Sequence, residues 1–277
     1  VLRDIRELTG EQEAYAAELR RRWGALLSYR YLGRRWASMD VGPIDDTVTL
    51  RHDMRDAGGA VLLAVLGIAA PEGGAMTDLS EVPNIVVHST QVVDPGRDVR
   101  RIEVVTEALR RGRQMGYSRS KIVDADDPSR VLAYTEGQGA IIGTPPEGLE
   151  LMDTQPLVVE DSPDLPPLWQ VFGCRRRDDG RWEIPELTED LASPDAALHI
   201  GPQFVLLETA ARDLAGEGAE ALSSHVMFLA RGKAGPFRAD GEAAEGPGGT
   251  VAVRLLLHDE GAEGRAITSA SYLFRRG

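Results

Sequence analysis

Two segments of this chain read as helices without a polar face. Residues 60–70 and the run Pro202-Gln203-Phe204-Val205-Leu206-Leu207-Glu208-Thr209-Ala210-Ala211 are apolar almost all round, and a helix of that kind is buried on every side. Each opens at a glycine, Gly59 or Gly201, and each leads into a series of strand-like segments. A sheet wrapped round one long helix buries it completely, and two such units pair their sheets through edge strands. The expectation is an α+β protein whose two halves run in the same order.

The halves repeat at a spacing of 142 positions measured from Gly59 to Gly201, and of 135 measured from Arg130 to Arg265. In the first half, alternation and turn signals predict strands over 38–50, 84–93, 98–108, 115–124 and 131–142, with 106–113 open to a short helix. In the second half they predict a hairpin of 169–174 and 182–184 about Asp178-Asp179-Gly180, then strands over 224–231, 236–245, 250–259 and 265–274. Ahead of both, Thr9-Gly10-Glu11-Gln12 has the form of a capping box, and an amphipathic helix follows to about Tyr31. Between them, 143–167 is rich in proline and acid, the composition of a linker.

One residue in the second apolar helix is out of place. Glu208 shares a face with Ala211 and Ala215, whereas the polar side of the helix lies near Thr209 and Asp213. An ionisable group among apolar neighbours costs several kcal/mol unless it is paired or protonated. Catalysis is one reason for it; a buried ion pair with Arg212 is the other, and composition alone favours the pair.

Charge narrows the partners. A net charge of −13 argues against general binding to nucleic acid or to an anionic membrane. The longest nearly apolar run, 58–70, falls short of the roughly 20 residues that span a bilayer. Cys174 is the single cysteine, so no internal disulfide forms, and a reduced cytoplasmic setting is expected. Val1-Leu2-Arg3-Asp4 leads into a charged amphipathic segment with no sign of a signal peptide.

Taken together, the arrangement resembles the hotdog fold in tandem, and within it the acyl-CoA thioesterases of the PaaI type. The residues that carry the resemblance are His199-Ile200-Gly201 at the helix start and Glu208, nine residues after the histidine. The family pattern is His-Gly-Gly with an Asp or Glu at that spacing. A Gly235-Pro236 strand ahead of an Asp259-Glu260-Gly261 turn also resembles it. The resemblance implies two tandem hotdog domains, each an antiparallel sheet wrapped round a long buried helix, with an extra N-terminal helix. The divisions are 1–37 for that helix, 38–142 for the first domain, 143–168 for the linker and 169–277 for the second domain.

The same resemblance implies a thioester carbonyl held at a helix N-terminus, where free N–H groups and the dipole stabilise oxyanion charge. A carboxylate from the facing half then acts as nucleophile or general base. Carried over, Glu208 is the acid and Gly58 and Gly59 supply the N–H groups. Acyl-CoA or another acyl thioester is the partner, coenzyme A enters only as part of the substrate, no separate cofactor is required, and the assembly is a homodimer of double-hotdog subunits. The chain departs from the pattern at Ile200, which replaces the first glycine, and at Arg212, where some relatives have a small hydroxyl residue. In the first half, nine residues from Ala57 reaches Leu66, with Gly67 next, and neither does acid–base chemistry. An acid needed only for folding would recur in both halves, so its presence in one points to function.

Other candidates carry two readings each. His52 reaches a thioester oxygen or sulfur, or caps a surface loop. His199, beside Gly201, binds substrate or orders the loop. Arg111 and Arg113, clustered with Arg110 and Arg119, grip coenzyme A phosphates or form a solvated face. His88, His225 and His258 show no ligand spacing, so no metal is expected. Two alternatives to hydrolysis stay open: a hotdog that binds acyl thioesters without turnover, and a hydratase-like hotdog using Asp195 and His199.

Overall fold

Alternating side chains in the sequence become alternating faces of one long sheet. The computed structural model describes residues 2–8, 12–33, 36–38, 42–43, 46–71, 83–141 and 156–277. The first part holds helices α1 (Gln12–Ala25), α2 (Leu27–Leu32) and α3 (Leu63–Ala69), with strands β1 (Trp36–Ser38), β2 (Gly42–Pro43), β3 (Thr47–Thr49), β4 (Pro83–Val92), β5 (Arg101–Arg111), β6 (Met115–Asp124) and β7 (Val131–Ile141). The second holds α4 (Leu168–Val171), β8 (Arg175–Arg176), β9 (Trp182–Ile184), α5 (Ile200–Ala215), β10 (Glu220–Phe228), β11 (Phe237–Glu245), β12 (Thr250–Asp259) and β13 (Arg265–Arg275). Among these residues no helix is long and apolar enough to cross a membrane.

Strands β1 and β2 form a separate pair, and the other eleven form one sheet in the order β3-β5-β6-β7-β4-β10-β13-β12-β11-β9-β8. The order reads as a mirror about the β4–β10 seam, where Val87 to Gln91 pair antiparallel with Met227 to Ser223. Helices α3 and α5 pack on each other, and α5 also packs on β11, β12 and β13. Leu66, Ile68, Leu206, Leu207, Phe237 and Phe274 are all buried in the one core these elements enclose.

The backbone repeats bond for bond ahead of each helix. Asp56 N–H donates to Ala60 O, and 137 positions on, Ser193 N–H donates to Ala197 O. Leu62 to Met54 recurs as His199 to Leu191, and Val61 to Pro95 as Leu198 to Gly232. This register corrects the glycine alignment. Gly59 corresponds to Ala196, both with positive φ (83° and 55°), while the counterpart of Gly201 is Ala64. The counterpart of Glu208 is therefore Pro71, beyond the end of α3, and not Leu66.

Three other expectations change. Residues 169–174, read as a strand, are helix α4 as far as Val171 and a turn after it, and Pro167 (φ −59°) stands at the start of that helical turn; the hairpin about 178–180 joins β8 to β9 instead. The N-terminal helix breaks at Leu26, whose ψ of 111° is not helical. Residues 106–113 are strand up to Arg111, not helix. The capping box at Thr9 and much of the 143–168 linker lie outside the described residues.

Candidate active site

Helix α3 starts without a cap of its own. Its N-cap position is Leu62, which has no side-chain acceptor, and the first N–H groups of a helix have no partner within it. Glu208 supplies the acceptors from the other half. Its Oε1 accepts from Leu63 N–H at 3.1 Å and its Oε2 from Ala64 N–H at 2.6 Å. The residue is buried, 2% exposed, and each of these neighbours is a donor to its carboxyl oxygens.

Arg212, one turn further along α5, donates from Nε to Glu208 Oε1 at 2.8 Å and from Nη1 to Asp56 Oδ2 at 3.0 Å. Its guanidinium lies 5.8 Å from the centre of the Phe274 ring. Burial by itself would lower the Arg212 pKa, but Glu208 and Asp56 more than offset this and hold it above its ordinary value. Asp56 completes the circuit, since its Oδ1 accepts from Gly58 and Ala60 N–H, both at 2.9 Å. The loop before α3 is thus tied through Asp56, Arg212 and Glu208 back to the first turn of α3.

This circuit forms part of the wall of a cavity of about 620 Å³. Glu208, Arg212, Asp56 and His52 are among the polar residues that line it, and Leu62, Val205, Trp169 and Trp182 among the apolar ones. The two tryptophan rings meet edge to face at 5.1 Å. A carboxylate, a guanidinium and two helix-start N–H groups converging beside an apolar hollow can hold a carbonyl, stabilise charge on its oxygen and take a proton from an attacking group.

Not every expected residue joins the site. Gly58 borders the cavity, but neither glycine offers a free N–H: Gly58 N–H is bound to the Asp56 carboxylate and Gly59 N–H to Asp56 O. The pair forms a turn four residues ahead of the helix, and Leu63 and Ala64 take the position assigned to it. His52 borders the cavity, but its Nδ1 and its backbone N–H both engage Asp161, at 2.9 and 2.8 Å. His199 and Gly201 lie outside the cavity lining. The His199 ring caps α5, accepting from Gly201 N–H at 3.3 Å and meeting Ser28 Oγ at 3.1 Å. Burial, with a smaller effect from Arg231, pushes its pKa down to about 3. Ser28 fills the space at that helix start, where a Cβ on Gly201 would lie 2.0 Å from Ser28 Oγ.

Asp195, the other half of a hydratase-like pair, is bound instead by Arg231 Nε at 2.7 Å and by Ser193. Arg113 is exposed and away from the cavity, and the Arg111 side chain is outside the described residues. Asp56 went unnoticed in the sequence, although an Asp two residues before a glycine is the signature of a turn that turns its carboxylate back on the backbone.

No protein-family model and no curated protein sequence matches the chain. Solved structures do. A provisionally assigned oleoyl thioesterase from Lactobacillus plantarum aligns over 84% of this chain and 95% of its own, with TM-score 0.59 and 13% identity. A protein of unknown function with a hot dog fold from Alicyclobacillus acidocaldarius aligns over 83% and 92%, with TM-score 0.56 and 10% identity. A 12:0-ACP thioesterase from Umbellularia californica covers 83% and 93%, at TM-score 0.54 and 11% identity. At such identities the likeness is one of fold, and the fold is the hotdog.

Proposed function

We propose that this chain is a double hotdog, two such domains in tandem, that hydrolyses acyl thioesters at a single site, in the manner of acyl-CoA thioesterases of the PaaI type. One observation carries the reading: a carboxylate from α5 meets the unpartnered N–H groups of α3, from the other half, at the wall of a cavity lined in part by apolar residues. The missing acid at Pro71 supports one competent site per chain. The substrate is an acyl-CoA or a carrier-protein thioester, with its acyl group towards Trp169 and Trp182. A homodimer in the cytoplasm belongs to the same reading.

In the ground state Glu208 holds the positions a carbonyl oxygen needs. Substrate entry moves the carboxylate towards Arg212 and places the thioester oxygen on Leu63 and Ala64 N–H. Water then attacks the carbonyl carbon and gives its proton to Glu208. The oxyanion is held at the helix start, the C–S bond breaks, and the departing sulfur takes the proton to leave a thiol and a carboxylic acid. His52, occupied by Asp161, is given no proton transfer.

A thiol-release assay over a range of acyl chain lengths tests this. Wild-type turnover with loss of at least about a hundredfold in Glu208→Gln supports it; equal rates in the two proteins overturn it. The second reading, binding without turnover, is favoured by the three donors that Glu208 already holds. Calorimetric binding of an acyl-CoA with no thiol released would select it.

A further inference from the structure

The two halves differ in what they place on the inward face of the sheet. In the first half, Val104, Ile122, Ala133 and Val92 line up across β5, β6, β7 and β4 as an apolar row. Two residues along each strand, on the same face, the next row is Thr106, Ser120, Thr135 and Thr90, continued on β10 by Ser224. Five hydroxyl residues thus cross five neighbouring strands. Four of them are buried: Ser120, Thr135, Thr90 and Ser224. The row after that brings Ser118 and His88 to either side of Gly137.

In the second half, 135 positions on, the places of Thr106, Ser120 and Thr135 are held by Gly241, Leu255 and Ala270, and that row closes on Val226. Ser118 is matched by Val253 and Gly137 by Tyr272. The same fold in the same register therefore needs no hydroxyls there, and hydroxyls on a core face are unfavourable unless bonded. Thr106 and Ser120 satisfy each other at 2.8 Å. Thr90 Oγ1 and His88 Nδ1 have no partner, although each residue is 1% exposed. His88 Nε2 is bound to Ala70 O at 2.9 Å, so Nε2 carries the hydrogen and Nδ1 presents a lone pair.

We propose that this hydroxyl row, with His88, is a second ligand site, for an uncharged oxygen-bearing group such as a polyol or a hydroxylated acyl chain. Hydroxyls both donate and accept, and no cation or anion stands in either row, so the chemistry matches a neutral ligand offering both functions. Thr90 and His88 are the contacts left open for it. Burial keeps His88 neutral, its pKa pushed down to about 4, and so keeps Nδ1 an acceptor. The site stands apart from the reading of Glu208.

The test follows the His88 ring nitrogens by NMR in histidine-labelled protein. Three probes are titrated: xylitol, 5,6-dihydroxyhexanoate joined to its carrier through a non-hydrolysable amide in place of the thioester, and the plain hexanoyl amide as control. A shift at Nδ1 with xylitol assigns a free polyol, a shift with the dihydroxy amide alone assigns an acyl chain, and the control leaves the ring unmoved. By calorimetry, Thr90→Val with His88→Phe weakens binding by about tenfold, the effect of losing two neutral hydrogen bonds. Thr90→Val, nearly isosteric, gives the same answer if the double variant does not fold. No shift with either oxygenated probe, unchanged affinity in both variants, or a crystal soaked in xylitol that shows only ordered water at Thr90 and His88 would overturn the site.

Discussion

The carboxylate of Glu208 lies 2.6 Å from the backbone N–H of Ala64, a residue 144 positions earlier in the chain. A side chain of one half caps a helix of the other. The contact is at once a structural tie and the centre of the proposed chemistry, and the two roles separate by measurement.

Removing the cap exposes the structural part. Glu208→Ala leaves two N–H groups without their acceptor and the half-buried Arg212 guanidinium with Asp56 as its remaining carboxylate, and should cost about 3 kcal/mol of stability. Glu208→Gln keeps one acceptor oxygen but turns an amide towards donors, at about 1–2 kcal/mol. Urea unfolding followed by circular dichroism gives both values. A change below about 0.5 kcal/mol for the alanine variant contradicts the buried contact.

Asp56 and Arg212 should behave as one unit. In a cycle of Asp56→Asn, Arg212→Met and the double variant, the coupling energy should be about 1–2 kcal/mol, since the two groups share a half-buried bond that Arg212 links on to Glu208. Additive losses would mean that the 3.0 Å contact contributes nothing to the fold.

Gly201 is fixed by its neighbour. A methyl group there meets Ser28 at bonding distance, so Gly201→Ala should lose about 2–3 kcal/mol, as overpacking does. Adding Ser28→Gly removes the obstacle and should restore most of the melting temperature. Failure of that rescue would place the strain elsewhere.

Acid should weaken the fold through its two buried histidines. Burial pushes His88 to about 4 and His199 to about 3, below the ordinary 6.5, so both rings fold neutral and gain protons on unfolding. Their contribution is fully present above about pH 6.5 and is lost as pH falls through the interval down to 4 for His88 and 3 for His199. Between pH 7 and 5 each ring accounts for about 2 kcal/mol. Urea unfolding at both values should show a loss smaller by that amount in His199→Asn; an equal loss would mean that His199 is not held neutral.

The periodic parts of the chain were legible because strand faces alternate in sequence as they do in space. β12 runs from Thr250 to Asp259 as expected, and Glu208 stood out as an acid on an apolar face. What misled was the match of Gly59 to Gly201. One serves a turn with positive φ and the other the close approach of Ser28, and sequence spacing cannot tell those demands apart. The hydrogen-bond circuit was hidden for a similar reason: Asp56 reads as a loop residue, and the N–H groups of Leu63 and Ala64 have no side-chain signature. The 169–174 stretch has strand-like aromatic residues, but a proline stands before it at the start of a helical turn.

The seam between β4 and β10 has a consequence in time. Val87 to Gln91 are made well before their partners at Met227 to Ser223, so a growing chain carries β4 with one side unpaired until most of the second half has left the ribosome. Contacts this distant in sequence form slowly, and an open strand invites pairing with other nascent chains. Fragments that stop short of β10 should therefore demand chaperones or precipitate, whereas the full-length chain closes the seam by itself.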